Sequence, residues 1–293
     1  MTAVSMVAAG SVMQANASSR TSRSAQSIAT VALIVMSVLY LAPLIWMVGT
    51  SLKTLPQAVT SPPVLIPDPF VWGNYPNAFT RMNFPRALLN TLIYAVPSAL
   101  FTVLSCSLVA YGFAIIKWPG RNAVFVLVLA TMMLPSQVTL IPLYVIYAKL
   151  GWINTFLPLV VPTLFGSAFF IFLLRQFFLG IPKDLVDAAR IDGASELRIL
   201  FQIIMPLSTP ALITVGLLTF IEKWNDFYGP LIYLQDPALM PLSRAVQVFQ
   251  SVYRTDWPLS MAAAVLVALP LVILYFFAQR KFIEGITLTG QKA

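Results

Sequence analysis

Six windows of this chain each hold about twenty mostly apolar residues, the length that carries an α-helix across the ~30 Å hydrocarbon core of a bilayer. They are residues 28–49, 88–116, 123–142, 156–174, 209–227 and 258–278. Lipid offers no partner for a backbone N–H or C=O, so segments like these must satisfy their polar groups internally, as helices do. The chain therefore reads as an all-α integral membrane protein with six transmembrane helices. Its composition agrees: only 10% of its residues are charged, against roughly a quarter in soluble domains. The net charge of +8 would suggest nucleic acid in a soluble protein. In a membrane protein basic residues collect in cytoplasmic loops, so a lipid membrane is the expected environment and no nucleic-acid partner is expected.

An even number of spans puts both termini on one side. With that side cytoplasmic, the inner segments carry Arg20, Arg23, Lys117, Arg121, Arg175, Lys183, Arg190, Arg198, Arg280, Lys281 and Lys292, eleven of the 18 lysines and arginines. The bias is sharpest in the turn Lys117-Trp118-Pro119-Gly120-Arg121 and after the last span. Residues 1–26 are small and polar and read as a disordered cytoplasmic tail, residues 27–279 as the membrane domain, and residues 280–293 as a cytoplasmic C-terminal tail. The outer loops are residues 50–87, 143–155 and 228–257, the first rich in proline, with a short interfacial helix expected around residues 72–79. There is no histidine, and Cys106 is the only cysteine. Histidine metal ligands and proton relays, and an intrachain disulfide, are thereby excluded.

One hydrophilic island interrupts the apolar pattern: residues 180–206, GIPKDLVDAARIDGASELRILFQIIMP. Pro182 suits a helix start, and Asp184 in the first turn complements the helix dipole. A short helix is expected over 184–192, with Leu185, Ala188, Ala189 and Ile191 as its apolar side. Gly193 fits the position past a helix end where a positive φ reverses the chain. Ser195 caps a second helix over 196–204, with Leu197, Leu200, Phe201 and Ile204 on one face. Pro206 ends the element. The expectation is a helix–turn–helix lying across the cytoplasmic mouth. On its own an amphipathic interfacial loop would look much the same.

The full string DAARIDGAS followed by IIMP, just before the penultimate span, resembles the "EAA" docking loop of permease subunits in binding-protein-dependent ABC importers. Further pieces are similar to the maltose/multiple-sugar class: residues 90–114, KWPGR at 117–121, MMLPSQVTLIPLY at 132–144, FIEKWNDFYGPLI at 220–232 and QRKFIEGITLTGQKA at 279–293. The likeness runs from about residue 28 to the C-terminus. Two positions depart from the family pattern: Asp187 stands in place of Glu and Met205 in place of Leu. Asp187 keeps the charge but shortens its reach by one methylene.

The resemblance implies a type I importer fold and a permease subunit that moves a carbohydrate, mono- or oligosaccharide, into the cytoplasm. It also implies a second permease subunit forming a heterodimer, two ABC ATPase subunits and an extracytoplasmic solute-binding protein. The chain has no GxxxxGK[ST] phosphate loop. It is thus expected to be a non-catalytic subunit without a cofactor of its own, ATP and Mg belonging to the partner ATPases. By the resemblance Asp187, Ala188, Ala189, Arg190, Asp192, Gly193 and Ala194 dock on the ATPase.

Candidates for the pore and solute are Ser136, Gln137 and Thr139 in the third span and Glu222, Asn225 and Asp226 at the outer end of the fifth, because polar residues in a span are costly unless they face a cavity or partner. Helix–helix hydrogen bonding would account equally for Ser136 and Thr139, and loop capping for Asp226. The outer Arg81, Arg86, Arg244 and Arg254 would suit an acidic saccharide or an acidic binding protein. An ion-coupled carrier is the rival class, but the acidic residues in the spans sit only near the outer end of the fifth.

Overall fold

The computed structural model describes residues 23–250 and 255–290. The N-terminal residues 1–22, on which most of the expected tail falls, lie outside the described residues, as do Arg254 and the last three residues. The helices in chain order are α1 (Arg23–Ser51), α2 (Leu55–Val59), α3 (Asn74–Arg81), α4 (Phe84–Ala114), α5 (Arg121–Ala130), α6 (Ser136–Lys149), α7 (Leu157–Val160), α8 (Ala168–Leu179), α9 (Lys183–Ile191), α10 (Glu196–Ile199), α11 (Met205–Leu207), α12 (Thr209–Trp224), α13 (Tyr228–Tyr233), α14 (Leu242–Ala245) and α15 (Trp257–Gly290). No strand occurs among the described residues, only an isolated bridge between Gln250 and Thr255. The helices that begin at Arg23 and end at Gly290 reach beyond the apolar windows into residues 23–26 and 280–290.

Among the described residues, four stretches are long and apolar enough to cross a bilayer, and two bent pairs raise the number to six when each pair is counted as one span. The bends sit where the sequence demands them. Pro135 pushes the preceding residue out of the helical region. Leu134 is accordingly extended (φ −79°, ψ 116°), and the third span bends by 96° between its two halves. Pro206 has no N–H, and its ring would collide with the carbonyl four residues back. The helix widens into a π-turn over Leu200–Ile204 just before it. The chain then turns by 84° at Ser208 into α12. The segment 196–207 therefore lies across one end of the bundle instead of continuing the span.

Helix α4 is the centre of the bundle. Its 31 residues make it about 46 Å long at 1.5 Å per residue. It packs against α12 and α8, while α12 packs on α15 and α15 on α1. Its buried face is unusually polar, carrying Asn90, Thr91, Ser98, Thr102 and Ser107. Several of these groups serve backbone that has left the helix. Asn90 donates to the carbonyls of Ala238 (2.9 Å) and Met240 (3.0 Å). Thr91 accepts from the Leu242 N–H at 2.9 Å. Ser98 and Ser105 donate to the carbonyls of Leu159 and Thr163 at 3.3 and 3.0 Å.

The last two contacts explain why the fourth span can be irregular. It starts as α7, tightens into a 3₁₀ turn over Val161–Phe165, breaks at Gly166 and resumes as α8. Non-helical backbone at membrane depth is tolerated only where protein satisfies it, and α4 does so. Cys106 Sγ completes the set by accepting the Ser167 N–H at 3.3 Å. Gly166 has φ +78°, and a Cβ there would lie 3.3 Å from Ile171 Cδ1 and 3.5 Å from Cys106 Sγ.

Gly166→Ala is expected to destabilise the protein by roughly 1–3 kcal/mol, because φ +78°, ψ 171° is a backbone conformation that essentially only glycine adopts. Gly112→Ala, inside α4 with open space around its Cβ, should be neutral or stabilising by up to about 1 kcal/mol. Thermal midpoints of the two variants in detergent check the pair.

Candidate docking loop and outer cavity

The hydrophilic island folds much as its sequence demands, with two differences of face. Helix α9 has Asp184 in its first turn. It ends in a two-bond reversal: the N–H of Gly193 bonds to the Arg190 carbonyl and that of Ala194 to the Ala189 carbonyl, both at 3.0 Å. That pairing requires a left-handed residue at Gly193, which has φ +78°. Ser195 then caps α10, its hydroxyl accepting the Arg198 N–H at 3.4 Å.

The first difference concerns α9. Val186 and Ala189 face the body, while Leu185, Ala188 and Ile191 face outward, Ile191 at 86% exposure. The expected apolar side is thus split between two surfaces, because one short amphipathic helix meets the body along a narrow stripe. The second concerns the following segment. Ile199, Leu200 and Ile204 are buried and Leu197 and Phe201 are exposed, the π-turn over Leu200–Ile204 bringing Ile199 and Ile204 onto one face. Of the residues singled out for docking, Asp187, Ala188, Arg190, Asp192 and Gly193 are exposed, Ala194 is half-buried and Ala189 is buried.

Arg190 does not stand free. Its Nε donates to Glu196 Oε1 at 2.9 Å and its Nη2 to Glu196 Oε2 at 3.2 Å. A weaker contact at 3.4 Å reaches Asp187. Glu196 Oε2 also accepts the hydroxyl of Tyr111, which is 97% buried near the end of α4. Two donors on one carboxylate, Arg190 first and Tyr111 second, hold Glu196 below the usual carboxylate range. Arg190 is raised in turn, first by its bonds to Glu196.

At the opposite end a cavity of about 490 Å³ opens between α6 and α13. Gln137 and Thr139 line it, with Leu140, Leu143, Tyr228, Gly229, Ile232 and Tyr233. Ser136 starts the same helix, but its side chain lies outside the described residues. The Tyr233 ring stacks on Tyr144 at 6.3 Å and meets Tyr147 edge-on at 5.4 Å. Tyr228 is 73% exposed.

Glu222, Asn225 and Asp226 are not among the lining residues. Glu222 is exposed, and Asn225 donates back to the Ile221 carbonyl at 2.9 Å. Asp226 Oδ1 accepts the Gly229 N–H at 3.0 Å, and its main-chain oxygen accepts from Ser243 at 2.7 Å. It shapes the cavity wall as a loop cap. Arg244 is spent on the carbonyls of Leu234 (2.7 Å) and Pro230 (3.3 Å), and Arg86 on that of Ala238. Arg81 is exposed.

Sequence reasoning missed Gly229, whose Cβ would lie 2.6 Å from Asp226 Oδ2 and 2.8 Å from Leu159 Cδ2. A glycine three residues after an aspartate, before a proline, was the available signal. It also missed Asn154, a left-handed residue (φ +62°). Asn154 Oδ1 accepts the N–H groups of Gln235 and Asp236 at 3.1 and 2.9 Å.

The described residues thus form a bent-helix bundle that lays a capped helix pair across one end and opens a cavity toward the other. Residues 104–287 match the family described as "Binding-protein-dependent transport system inner membrane component". The chain belongs to that family, and it is the permease component of a binding-protein-dependent transporter. It is 32% identical over 253 residues to a probable ABC transporter permease protein of Pyrococcus horikoshii, covering 85% of this chain and 92% of that one. It is also 32% identical over 262 residues to an arabinooligosaccharides transport system permease protein of Bacillus subtilis, covering 88% and 93%. Its fold matches a chain in the crystal structure of a bacterial ABC transporter involved in the import of the acidic polysaccharide alginate. The TM-score is 0.77 at 23% identity, over 90% of this chain and 99% of that one.

Gly229→Ala is expected to displace the Asp226 cap and lower the thermal midpoint, by an amount equivalent to roughly 1–3 kcal/mol. The Glu196 carboxylate interaction, with its pKa depressed, is present above the ordinary carboxylate range and lost as pH falls through the lowered value. Protection of α9 against proteolysis should therefore be flat from about pH 8 to about pH 5 and fall only in stronger acid.

Proposed function

We propose that this chain is one of two permease subunits in an ATP-driven importer that carries a carbohydrate, delivered by a solute-binding protein, into the cytoplasm. The observation that carries the reading is helix α9. It is ended by the Gly193 reversal and presents Leu185, Ala188 and Ile191 outward beside Asp187 and Asp192. Lys117, Arg121, Arg175, Lys183 and Arg198 share that end of the sequence-derived topology, which makes it the cytoplasmic one. Both termini then lie on the cytoplasmic side, with residues 27–279 as the permease domain.

Small residues at Ala188 and Ala194 let a partner surface come close, and the acidic pair offers charge to a basic groove. ATP and Mg act in two partner ATPases. Their closure displaces α9, and the bundle shifts from inward- to outward-open, a population change driven by differential affinity for ATP in the two states.

The solute side rests on the cavity. Its volume is in the range of small-molecule sites. It combines an amide (Gln137), a hydroxyl (Thr139) and tyrosine rings, the chemistry that hydrogen-bonds sugar hydroxyls and stacks on sugar rings. The arabinooligosaccharide relative supports the same substrate class. Since Arg244 and Arg86 are engaged with main-chain carbonyls, Arg81 is the outer arginine left for an acidic solute among those described.

Purification of the tagged chain from its native membrane should recover an ATPase and a second permease; recovery of the chain alone overturns the reading. Asp187→Lys should lower ATPase recovery by roughly tenfold through charge reversal in a desolvated contact. Gly193→Val should abolish it while membrane insertion persists, because a β-branched residue opposes positive φ.

A further inference from the structure

Helix α9 is thinly attached to the bundle. Among the described residues its buried contacts are Val186 and Ala189, and a helix held by two small apolar side chains can roll or slide when a partner pulls on it. The polar contacts at its C-terminal end resist that motion. The reversal at Gly193 folds the chain back so that Glu196 lies beneath Arg190. The carboxylate takes a two-point bond from the guanidinium and a third bond from Tyr111. Bidentate guanidinium–carboxylate pairs fix orientation as well as distance. Tyr111 is buried in the same apolar cluster as Val186, Ala189, Ile199 and Leu200, so its hydroxyl is held in place.

Tyr111 belongs to α4, the longest described helix apart from α15; α4 runs unbroken through Pro97. Farther along α4, Tyr94 donates to the Lys223 carbonyl at 2.8 Å, at the end of α12. Ser98 donates to the Leu159 carbonyl, and Leu159 lies against Gly229 of the cavity wall. One element thus touches the docking loop at one end and the cavity's supports at the other.

We propose that Glu196 is a positioning residue that clamps helix α9 to Tyr111. Displacement of α9 by a partner then moves α4, and with it the outer cavity wall, as one body. This rests on the docking role proposed for α9. Asp187 belongs to the partner-facing surface, and Glu196 and Tyr111 belong to transmission. Removing the clamp leaves docking intact and lets α9 move without the wall.

The test uses the complete complex in lipid nanodiscs, with spin labels at Val138→Cys on α6 and Leu231→Cys on α13. Both positions are exposed, and both flank the cavity. The probe is ATP–Mg trapped with orthovanadate. In the parent, trapping should shift the label–label distance. In Tyr111→Phe and Glu196→Gln, which keep the ring and the side-chain shape, the shifted fraction should fall roughly fivefold or more, with ATPase recovery and ATP affinity unchanged. An unchanged shifted fraction in both variants overturns the clamp. Loss of the ATPase from either variant overturns it too, because the residues would then build the docking surface. A parent whose distance ignores ATP–Mg overturns it as well. Failure of the parent chain to bring down any ATPase is a separate result, and it sinks the docking role itself.

Discussion

The constraint on which the rest depends is that a broken helix inside a membrane leaves backbone groups without water. This protein breaks its third and fourth spans and turns sharply into its fifth, and α4 supplies what the fourth loses. Ser98, Ser105 and Cys106 meet groups of Leu159, Thr163 and Ser167, while Asn90 and Thr91 hold the chain around Ala238–Leu242. A hydroxyl in a span costs little when it has a defined acceptor, and each of these has one. The polar stripe of α4 is therefore the condition for irregular backbone elsewhere. Irregular backbone is in turn what opens a cavity in a bundle that straight helices would fill.

The two ends of the molecule use different physics. At the end that carries α9 and α10 the chain relies on local signals: a proline start, an acidic first turn, a glycine reversal and a serine cap. At the cavity end it relies on long-range backbone bonds. Asn154 joins the loop after α6 to the loop after α13, and Arg244 secures the carbonyls of Pro230 and Leu234. Such bonds hold a wall in place without lining it with charge. This is why several polar residues near the cavity turn inward to the backbone.

That difference sets how much was legible beforehand. The capped pair around Gly193 could be read residue by residue, since helix ends obey short-range rules. The spans could be read from hydropathy. The packed faces could not. Phe201 points outward within a π-turn before Pro206 that rotates the register, and a pattern based on 3.6 residues per turn carries no trace of that. The roles of Asp226 and Arg244 were equally hidden, since their partners are fixed only once distant segments meet. A charged residue at a span end looks the same in sequence whether it greets a solute or caps a turn.

Tyr111 and Glu196 show the same limit from the other side. One is an aromatic in an apolar span, and the other a carboxylate in an amphipathic segment, 85 positions apart. Neither stands out alone. Together they join the locally encoded end of the protein to its long-range core. Helix α9 is specified locally and buries only Val186 and Ala189 against the body, so most of its surface stays open. The body must then grip it at a point outside that surface. A carboxylate just past the reversal, reaching back to Arg190 and in to Tyr111, meets that requirement while leaving Leu185, Ala188 and Ile191 open.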